Sequence, residues 1–297
     1  MRRPTLSRAN AAGHRQGVVL RRDFQVVETR GYTRVSRDTR PVPTVPDRVL
    51  DAFGLSGAQV SLAGGMGGSV LVRGAVLKPD GDDVEATWLG NLQHRLHADG
   101  VRTPRPLQAA DGRWVVDGWT AAAYLPGTEQ PDRWGDVIAA SRPFHHALAH
   151  EPRPALLDAR THRWAHADRV AWSETDQDLG VLGQKLTSRY ADVHLPSQLV
   201  HCDLSGNMLF HDVEPPAVID LSLYWRPVPY AEAIVAVDAY LWYDAGPEVL
   251  DLIDHPDARQ LLLRATVFRL TAEMSPEYQG ERSPTAYERL TDALATR

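Results

Sequence analysis

The pattern of hydrophobic and polar positions divides the chain into a strand-rich part and a longer helical part. The strand-rich part opens at 61–81, which reads SLAGGMGGSVLVRGAVLKPDG. Its glycine cluster is incompatible with regular structure, whereas the short apolar runs on either side of Arg73 and Gly74 predict a β-hairpin with a two-residue turn. The segment therefore predicts a glycine-rich loop, a strand, a tight turn and a second strand.

A helix is predicted immediately after this hairpin. Its apolar positions recur at a spacing of four residues, which places them on one helical face: Val84, Trp88, Leu92 and Leu96. Asp82 or Asp83 can cap the first turn, and Glu85 lies close to it. Two or three strands follow, separated by Asp-Gly turns, and this part ends at the hinge-like sequence Leu-Pro-Gly at 125–127.

The rest of the chain has mainly helical spacing. The segment 198–220 is strand-like, and the helical patterns cover the other segments: 132–150, 164–190, 230–245, 247–254, 258–273 and 284–296. A small β-rich N-lobe at 46–125, joined by a hinge to a larger helical C-lobe at 126–297, predicts an α+β, bilobal architecture.

The N-terminal segment 1–45 has a different composition. Residues 1–40 hold ten Arg and three acidic residues, a net charge of +7, and they lead into a Pro-rich stretch at 41–46. Because this segment has no hydrophobic period, we expect a disordered arm. The whole chain has a net charge of −6, so the remainder carries −13, which argues against a nucleic-acid partner for the folded body.

Composition also bears on location. No apolar run approaches the roughly 18–20 residues that span a bilayer, and the Arg-rich start lacks the apolar segment of a secretory signal. Cys202 is the only cysteine, so an internal disulfide is excluded. We therefore expect a cytoplasmic protein without a membrane partner, as either a monomer or a homodimer.

One lysine is unusual against the background of basic residues. Of the 32 basic residues 30 are Arg, and the two lysines are Lys78 and Lys185. A compact ammonium interacts differently from a planar guanidinium, so a lysine in such a background is a candidate functional residue. Lys78 ends the strand that follows the glycine-rich loop. For Lys185 we prefer the interpretation that a lysine occurs there by chance.

A second unusual segment is 200–210, VHCDLSGNMLF, where His, Asp and Asn lie between apolar flanks. Two short strands would hold such a loop and leave its polar side chains facing a cleft. A phosphoryl-transfer site needs an Asp to orient the attacking hydroxyl, and an Asn and a second Asp to hold Mg²⁺. Asp203, Asn207 and Asp220 occur in that order, with Asp220 delivered by the apolar strand before it.

The remaining parts of such a site also occur in the expected order. A glycine-rich loop brings backbone N–H groups close to phosphate oxygens, and four glycines can form it: Gly64, Gly65, Gly67 and Gly68. Lys78 would then neutralise the phosphates, and Glu85 would pair with Lys78.

The ordered motifs resemble the aminoglycoside phosphotransferase and choline kinase branch of the protein-kinase-like fold, and more narrowly an actinobacterial branch of that superfamily. HCDLSGNMLF resembles the H-G-D-x-x-x-x-N loop, VIDLSLYW the strand with the metal-binding Asp, and GGMGGSV with AVLK the nucleotide loop and strand lysine. EATWLGNL, WTAAAYLPG and FHHALAH resemble the Glu-bearing helix, the hinge and an early C-lobe helix. The resemblance covers about 55–245.

This resemblance implies a Mg²⁺-dependent phosphotransferase that uses ATP or GTP and phosphorylates a hydroxyl of a small molecule of the amino-sugar or amino-alcohol type. It implies the roles given above for the candidate residues, and it makes His201 a brace of the catalytic loop. We expect acceptor specificity to lie in the helical lobe, where several Trp residues are candidates for lining a pocket, although most would belong to the core.

Two departures from the family pattern leave alternatives open. Only three residues separate Asp203 from Asn207, where the common pattern has four, and Asp220 is followed by Leu-Ser instead of Phe-Gly. The shorter loop is compatible with a nucleotide-binding pseudokinase that has a regulatory or scaffold role. A metal-dependent hydrolase using His201, Asp203 and Asp220 is a third hypothesis, but it does not explain the glycine loop or Lys78.

Overall fold

The structure is a computed structural model that describes residues 44–62, 68–278, 280 and 283–297. The predicted disordered arm at 1–45 lies outside the described residues except for its last two positions. Three glycines of the predicted nucleotide loop, Gly64, Gly65 and Gly67, also lie outside them.

The N-terminal part is a five-stranded antiparallel sheet in the order β1-β2-β3-β5-β4. Its strands are β1 (Val60–Ser61), β2 (Val70–Val72), β3 (Ala75–Pro79), β4 (Val115–Val116) and β5 (Trp119–Ala123). The predicted hairpin turn is confirmed between β2 and β3, because Arg73 and Gly74 both have positive φ, 47° and 84°. This conformation matches the twist of the flanking strands.

Two helices flank this sheet. Helix α1 (Asp47–Ala52) shares a hydrophobic cluster with β3, in which Leu77 is fully buried. Because side chains alternate along a strand, the next residue, Lys78, projects from the opposite face. Helix α2 (Asp83–Arg95) begins at Asp82, whose carboxylate accepts hydrogen bonds from the N–H groups of Val84 and Glu85.

The C-terminal part is mainly helical. Its helices are α3 (Trp134–Leu148), α4 (Leu156–Ala159), α5 (Arg163–Ala171), α6 (Gly180–Thr187), α7 (Val228–Trp242), the 3₁₀ helix at Pro247–Leu252, α8 (Ala258–Met274) and α9 (Pro284–Ala295). Helices α7 and α8 pack against each other at the centre of the core, where nearly every residue from Tyr230 to Ala239 is buried.

The prediction of one helix over 164–190 is wrong. The structure has α5 and α6 instead, because the chain leaves helical geometry after Ala171. Ser173 and Gly180 both adopt positive φ, 57° and 65°, which a continuous right-handed helix cannot accommodate. Hydrophobic periodicity alone does not reveal such a break, because the apolar residues before and after it have spacing compatible with one helix.

Two small antiparallel ladders lie beside the central helices. Strand β6 (Gln198–His201) pairs with β9 (Leu223–Arg226), and β7 (Met208–Leu209) pairs with β8 (Ala217–Val218). The three strands before residue 220 agree with the sequence prediction, whereas β9 was not predicted. Its first residues, Leu223 and Tyr224, are both buried, so its burial does not alternate as in a half-exposed strand.

The connection between the two parts passes through Gly127. This residue has a φ of 148°, and a Cβ atom there would lie 2.9 Å from Leu209 Cβ and 3.0 Å from Phe210 O. Thr128 then exchanges backbone hydrogen bonds with Phe210, which brings the connection against β7. The architecture is therefore the predicted α+β bilobal fold, while the lobe boundaries at residues 45 and 125 remain predictions.

Within the part of the chain that the structure describes, no helix is both long enough and apolar enough to cross a membrane.

Candidate active site

Lys78 and Asp220 meet in the crevice between the two lobes. Lys78 lies in β3 opposite Thr120, and its Nζ atom forms an ion pair with Asp220 Oδ1 although the two residues are 142 positions apart. Their side chains are 35% and 37% exposed, so solvent reaches both. The sequence hypothesis placed these two groups around one crevice, and the ion pair brings them into direct contact.

Asp220 has an unusual backbone conformation between β8 and β9. Its φ is 54°, in the left-handed region that residues other than glycine seldom adopt. Such conformations persist where surrounding contacts impose them, and they concentrate at functional sites. Here the N–H of the preceding Ile219 donates a 2.9 Å hydrogen bond to the carbonyl oxygen of Asn207, which joins the Asp220 segment to the predicted catalytic loop.

The loop between β6 and β7 brings Asp203 and Asn207 into contact. Asn207 Nδ2 donates to the carbonyl oxygen of Asp203 at 2.6 Å and to Asp203 Oδ2 at 3.2 Å. Gly206 has a φ of 80°, which lets the short loop close into a turn bonded from Asn207 N–H to Leu204 O at 2.9 Å. Gly206 therefore lets the shorter loop close, and Asp203 and Asn207 lie side by side.

His201 lies below this loop and not in the cleft. It is fully buried, its Nδ1 accepts from Asp203 N–H at 3.1 Å, and its Nε2 donates to Ile219 O at 3.1 Å. Both ring nitrogens are therefore occupied by backbone groups of the two segments that carry Asp203 and Asp220. This geometry fits the bracing role and leaves no ring nitrogen for a metal ion.

His145 extends the brace into the core. It is buried on α3, and its Nε2 accepts from the N–H of His201 at 3.1 Å. Burial, together with the neighbouring His201, lowers the pKa of His145 to about 3, and burial also lowers the pKa of His201. The acceptor role requires neutral His145, so the low pKa and the hydrogen bond support each other. Sequence reasoning treated His145 as a packing residue.

The predicted Lys78–Glu85 ion pair is wrong for this structure. Glu85 instead binds Arg160 of the C-lobe, with Oε1–Nη2 and Oε2–Nε distances of 2.5 and 3.1 Å. Arg160 also donates from Nη1 to Leu223 O at 2.5 Å, so it links α2 to β9. A planar guanidinium can bond to both oxygens of a carboxylate, whereas an ammonium is a compact point charge. Lys78 pairs with Asp220 instead of Glu85.

Sequence reasoning also missed Arg269, a residue of α8 whose guanidinium contacts Asp203 from inside the core. The structure also buries Asp238, an acid of the apolar helix α7, against Arg269. The signal available in the sequence was an acid within an apolar helix, because a buried charge requires a partner.

Two further residues singled out in the sequence, Gly68 and Cys202, are among the described residues. Gly68 lies two residues before β2 with a φ of 100°, which supports a glycine at that position. Cys202 is buried, and burial raises the pKa of its thiol well above the usual range. This environment agrees with the expectation that Cys202 acts as a small hydrophobic residue.

Two of the candidate tryptophans flank the loop. Trp164 and Trp242 are partly buried, and their ring centroids lie 5.4 and 5.1 Å from the guanidinium carbon of Arg269. In contrast, Trp134 is buried in the core, with its ring 4.7 Å from that of Tyr243. Two aromatic rings thus lie beside the arginine that contacts Asp203.

The donor set fits Mg²⁺ better than a transition metal. The amide nitrogen of Asn207 donates to Asp203, so its amide oxygen is the atom that remains for a cation, and Asp220 supplies a carboxylate. Mg²⁺ takes one or two protein oxygens and completes its shell with water and phosphate. Among the described residues no group of three or more His, Cys, Asp or Glu side chains forms a metal site.

Comparison with known proteins gives structural but not sequence matches. No family profile matches the sequence, and no curated protein is similar enough to match it. Among solved structures, a thermostable mutant of aminoglycoside phosphotransferase APH(4)-Ia in complex with AMP-PNP and hygromycin B has a TM-score of 0.54 at 13% identity, with 84% of this chain and 96% of that chain covered.

Two further solved structures give similar values. Spectinomycin phosphotransferase APH(9)-Ia, in complex with ADP and spectinomycin, has a TM-score of 0.52 at 11% identity, with 84% and 96% of the two chains covered. An aminoglycoside phosphotransferase from Alicyclobacillus acidocaldarius has a TM-score of 0.51 at 12% identity, covering 88% of this chain and 94% of that one. The chain therefore has the kinase-like fold of the aminoglycoside phosphotransferases, as the motif resemblance implied.

Proposed function

We propose that this protein is a Mg²⁺-dependent phosphotransferase that moves the γ-phosphoryl group of ATP or GTP to a hydroxyl group of a small molecule. The observation that carries the proposal is the meeting of Lys78, from the small sheet, with Asp220, from the C-lobe, beside the joined pair Asp203 and Asn207. A fold match alone does not define a function, but here the side chains that phosphoryl transfer requires converge from separate elements.

The nucleotide would lie between the two lobes. Lys78 would exchange Asp220 for phosphate oxygens, and Gly68, with the glycines before it, would cover the phosphates. Asn207 and Asp220 would hold Mg²⁺, which neutralises charge on the phosphates when bound. Similar solved structures contain ADP or the ATP analogue AMP-PNP, which supports a nucleotide in this cleft.

Asp203 would orient the acceptor. The hydroxyl oxygen forms a bond to the γ-phosphorus as the bond from phosphorus to the β–γ bridging oxygen breaks, and the nucleoside diphosphate leaves. Asp203 accepts the hydrogen bond of the attacking hydroxyl, whose proton is released as the new ester forms. Most of the acceleration would come from positioning and charge neutralisation, because the protein forms no covalent intermediate.

The acceptor would enter from the C-lobe side of Asp203. The partly exposed rings of Trp164 and Trp242 lie close to Arg269, which contacts Asp203, and they would form part of this side. Solved structures with the same fold contain hygromycin B or spectinomycin, which supports an amino-sugar-like or amino-alcohol-like acceptor.

A nucleotide-consumption screen tests the proposal. The protein is incubated with ATP or GTP and Mg²⁺ and a library of amino sugars, amino alcohols, sugars and nucleosides. We expect D203N to abolish turnover with nucleotide affinity retained, and D220N to remove Mg²⁺-dependent nucleotide binding. D212N, at an exposed position in a nearby turn, is the matched control and should behave as wild type. Equal turnover in wild type and D203N would refute the role given to Asp203.

A pseudokinase is the second candidate, favoured by one observation. The shortened loop leaves the side chain of Asn207 bonded to Asp203 at both its carbonyl and its carboxylate oxygen. If this bond persists with nucleotide present, Asn207 holds the loop instead of Mg²⁺. Nucleotide binding in a thermal-shift assay, with neither acceptor phosphorylation nor slow hydrolysis across the panel, would support this candidate over the enzyme.

A further inference from the structure

A buried guanidinium lies directly behind Asp203. Arg269, on α8, is 2% exposed, and its Nη2 donates to Asp203 Oδ1 at 3.1 Å. The same nitrogen lies 3.5 Å from the carbonyl oxygen of Cys202. Because Asn207 Nδ2 donates to the other carboxylate oxygen, Oδ2, both oxygens of Asp203 have a fixed donor.

Arg269 is itself held from behind. Its Nε and Nη2 donate to the two carboxylate oxygens of Asp238 at 2.7 and 2.6 Å, and Asp238 is fully buried. The rings of Trp242 and Phe268 lie 5.1 and 5.0 Å from its guanidinium carbon. A planar guanidinium held by two oxygens and packed against rings has little rotational freedom, so it is a rigid support for Asp203.

The charge of this group is also fixed. Burial by itself would lower the pKa of Arg269, but Coulombic attraction and hydrogen bonds from Asp238 and Asp203 outweigh burial and raise it. The guanidinium therefore remains charged, and one positive charge faces two carboxylates. Asp238 takes two hydrogen bonds from it and Asp203 takes one, so Asp203 keeps lone pairs for a group in the cleft.

On the basis of the proposed function, we propose that Arg269 is a positioning residue for phosphoryl transfer: it holds the carboxylate of Asp203 in the orientation that receives the attacking hydroxyl. Because both carboxylate oxygens are held by fixed donors, Asp203 would act mainly by orienting the nucleophile. This agrees with a loose transition state, in which little proton transfer is needed early. Arg269 is buried behind Asp203, so it would act through Asp203.

A structural role alone would give a different result. If Arg269 only filled the core and balanced Asp238, its removal would lower stability and leave turnover per folded molecule unchanged. If it positions Asp203, its removal lowers kcat while the nucleotide Kd is unchanged, because Arg269 bonds to Asp203, whereas the nucleotide would bind through Lys78 and Asp220. The two roles therefore separate in a comparison of kcat with nucleotide affinity.

The experiment uses the full chain with ATP and Mg²⁺ and follows hydrolysis, in which the oxygen of water takes the place of the acceptor hydroxyl and ADP, phosphate and a proton are formed. We expect R269M to lower kcat by about 100-fold, the loss that a misplacement of about 1 Å produces. R269K, which keeps the charge but lacks the fork, should recover part of that loss, and the nucleotide Kd from thermal shifts should match wild type.

R226K is the matched control. Arg226 is another C-lobe arginine that is mostly buried and bound by an Asp, with Nη2 2.7 Å from Asp168 Oδ2, but it does not contact the catalytic loop. We expect R226K to lower stability without changing kcat. If R226K and R269M lower kcat equally, or if R269M has wild-type kcat, the positioning role is wrong.

Further variants guard against misfolding and separate the two proposals. R269M leaves Asp238 without its arginine, so R269Q/D238N, which removes both charges together, gives a variant with a neutral pair. We expect it to fold with the same loss of kcat, and D203N/R269M to be no slower than D203N, because the two residues act as a unit. Absence of hydrolysis in the wild-type protein would overturn the proposed function and this inference together, whereas wild-type hydrolysis equal to that of R269M would overturn this inference alone.

Discussion

Two ion pairs hold the candidate site in different ways. The Arg269–Asp238 pair is buried, with side chains 2% and 0% exposed, and it supports Asp203 from inside the C-lobe. The Lys78–Asp220 pair bridges the lobes, and both members are more than a third exposed to solvent. A buried pair is fixed when the protein folds because neither charge can be left alone, while an exposed pair contributes about 0–1 kcal/mol and exchanges partners easily.

This difference between the two ion pairs matches what the proposed phosphoryl transfer would require of the groups near each pair. The group that orients the nucleophile must be in place before the substrate arrives, and a rigid support lowers the free energy needed to align it. The groups that contact the nucleotide must release each other when phosphate and a cation enter. The comparison therefore predicts that the buried pair controls stability and orientation, and that the exposed pair controls nucleotide binding.

The largest expected effect on stability follows from removing Asp238. D238A leaves Arg269 in the core with Asp203 as its one remaining acidic partner among the described residues, and removal of one member of a buried pair costs about 3–5 kcal/mol. We expect the free energy of unfolding, measured in urea at pH 7, to fall by this amount, with a lower kcat for the remaining folded protein.

D168A is a control with the same design. It removes the buried partner of Arg226, which keeps a second and more exposed acid, Glu174, just as Arg269 keeps Asp203. We expect a similar loss of stability with unchanged kcat. If D168A lowers kcat as strongly as D238A, the buried pair near Asp203 has no special relation to turnover.

The effect of intermediate size is the dependence of the free energy of unfolding on pH that arises from His145. Its pKa in the folded protein is lowered from 6.5 to about 3 by burial and by His201, so between these values the unfolded chain binds a proton that the folded protein does not. The free energy of unfolding therefore falls as pH decreases through this window, by up to about 1.4 kcal/mol per pH unit from this residue.

H145N should remove this dependence. We expect the variant to be less stable than wild type at pH 7 and the difference to shrink as the pH is lowered toward 4, as measured by urea denaturation. H146N, at the adjacent exposed position, should keep the wild-type slope. A slope in H145N as steep as in wild type would mean that His145 is not the group that couples stability to pH.

The smallest effect on stability is expected at Lys78. K78A removes an exposed pair, so the free energy of unfolding should change by no more than about 1 kcal/mol. The change in melting temperature on adding ATP and Mg²⁺ should nevertheless be lost, because this change depends on nucleotide affinity.

The other lysine of the chain gives the control. Lys185 pairs with Asp292 at 2.6 Å, and both side chains are exposed. K185A should therefore match K78A in stability but retain the full thermal shift with nucleotide. Equal shifts for K78A and K185A would show that Lys78 does not bind the nucleotide.

Structural features that depend on residues close together in the sequence were predictable without the structure. The hairpin turn at Arg73 and Gly74, the Asp82 cap of α2 and the loop from Asp203 to Asn207 are set by turn chemistry and local hydrogen bonds. Such contacts span only a few positions, so composition and spacing are enough to predict them. The order of the motifs also indicated the kinase-like fold that the solved structures share.

The packing of the folded protein determines which charged side chains form ion pairs. The chain has 30 arginines and 38 acidic residues, and spacing does not reveal that Glu85 binds Arg160 or that Arg269 lies behind Asp203. These partners are 75 and 66 positions apart and meet only because the fold brings α2 next to the segment between α4 and α5, and α8 next to the loop after β6. The reason is physical: the strength of a charge pair depends on its distance and burial, and packing sets both.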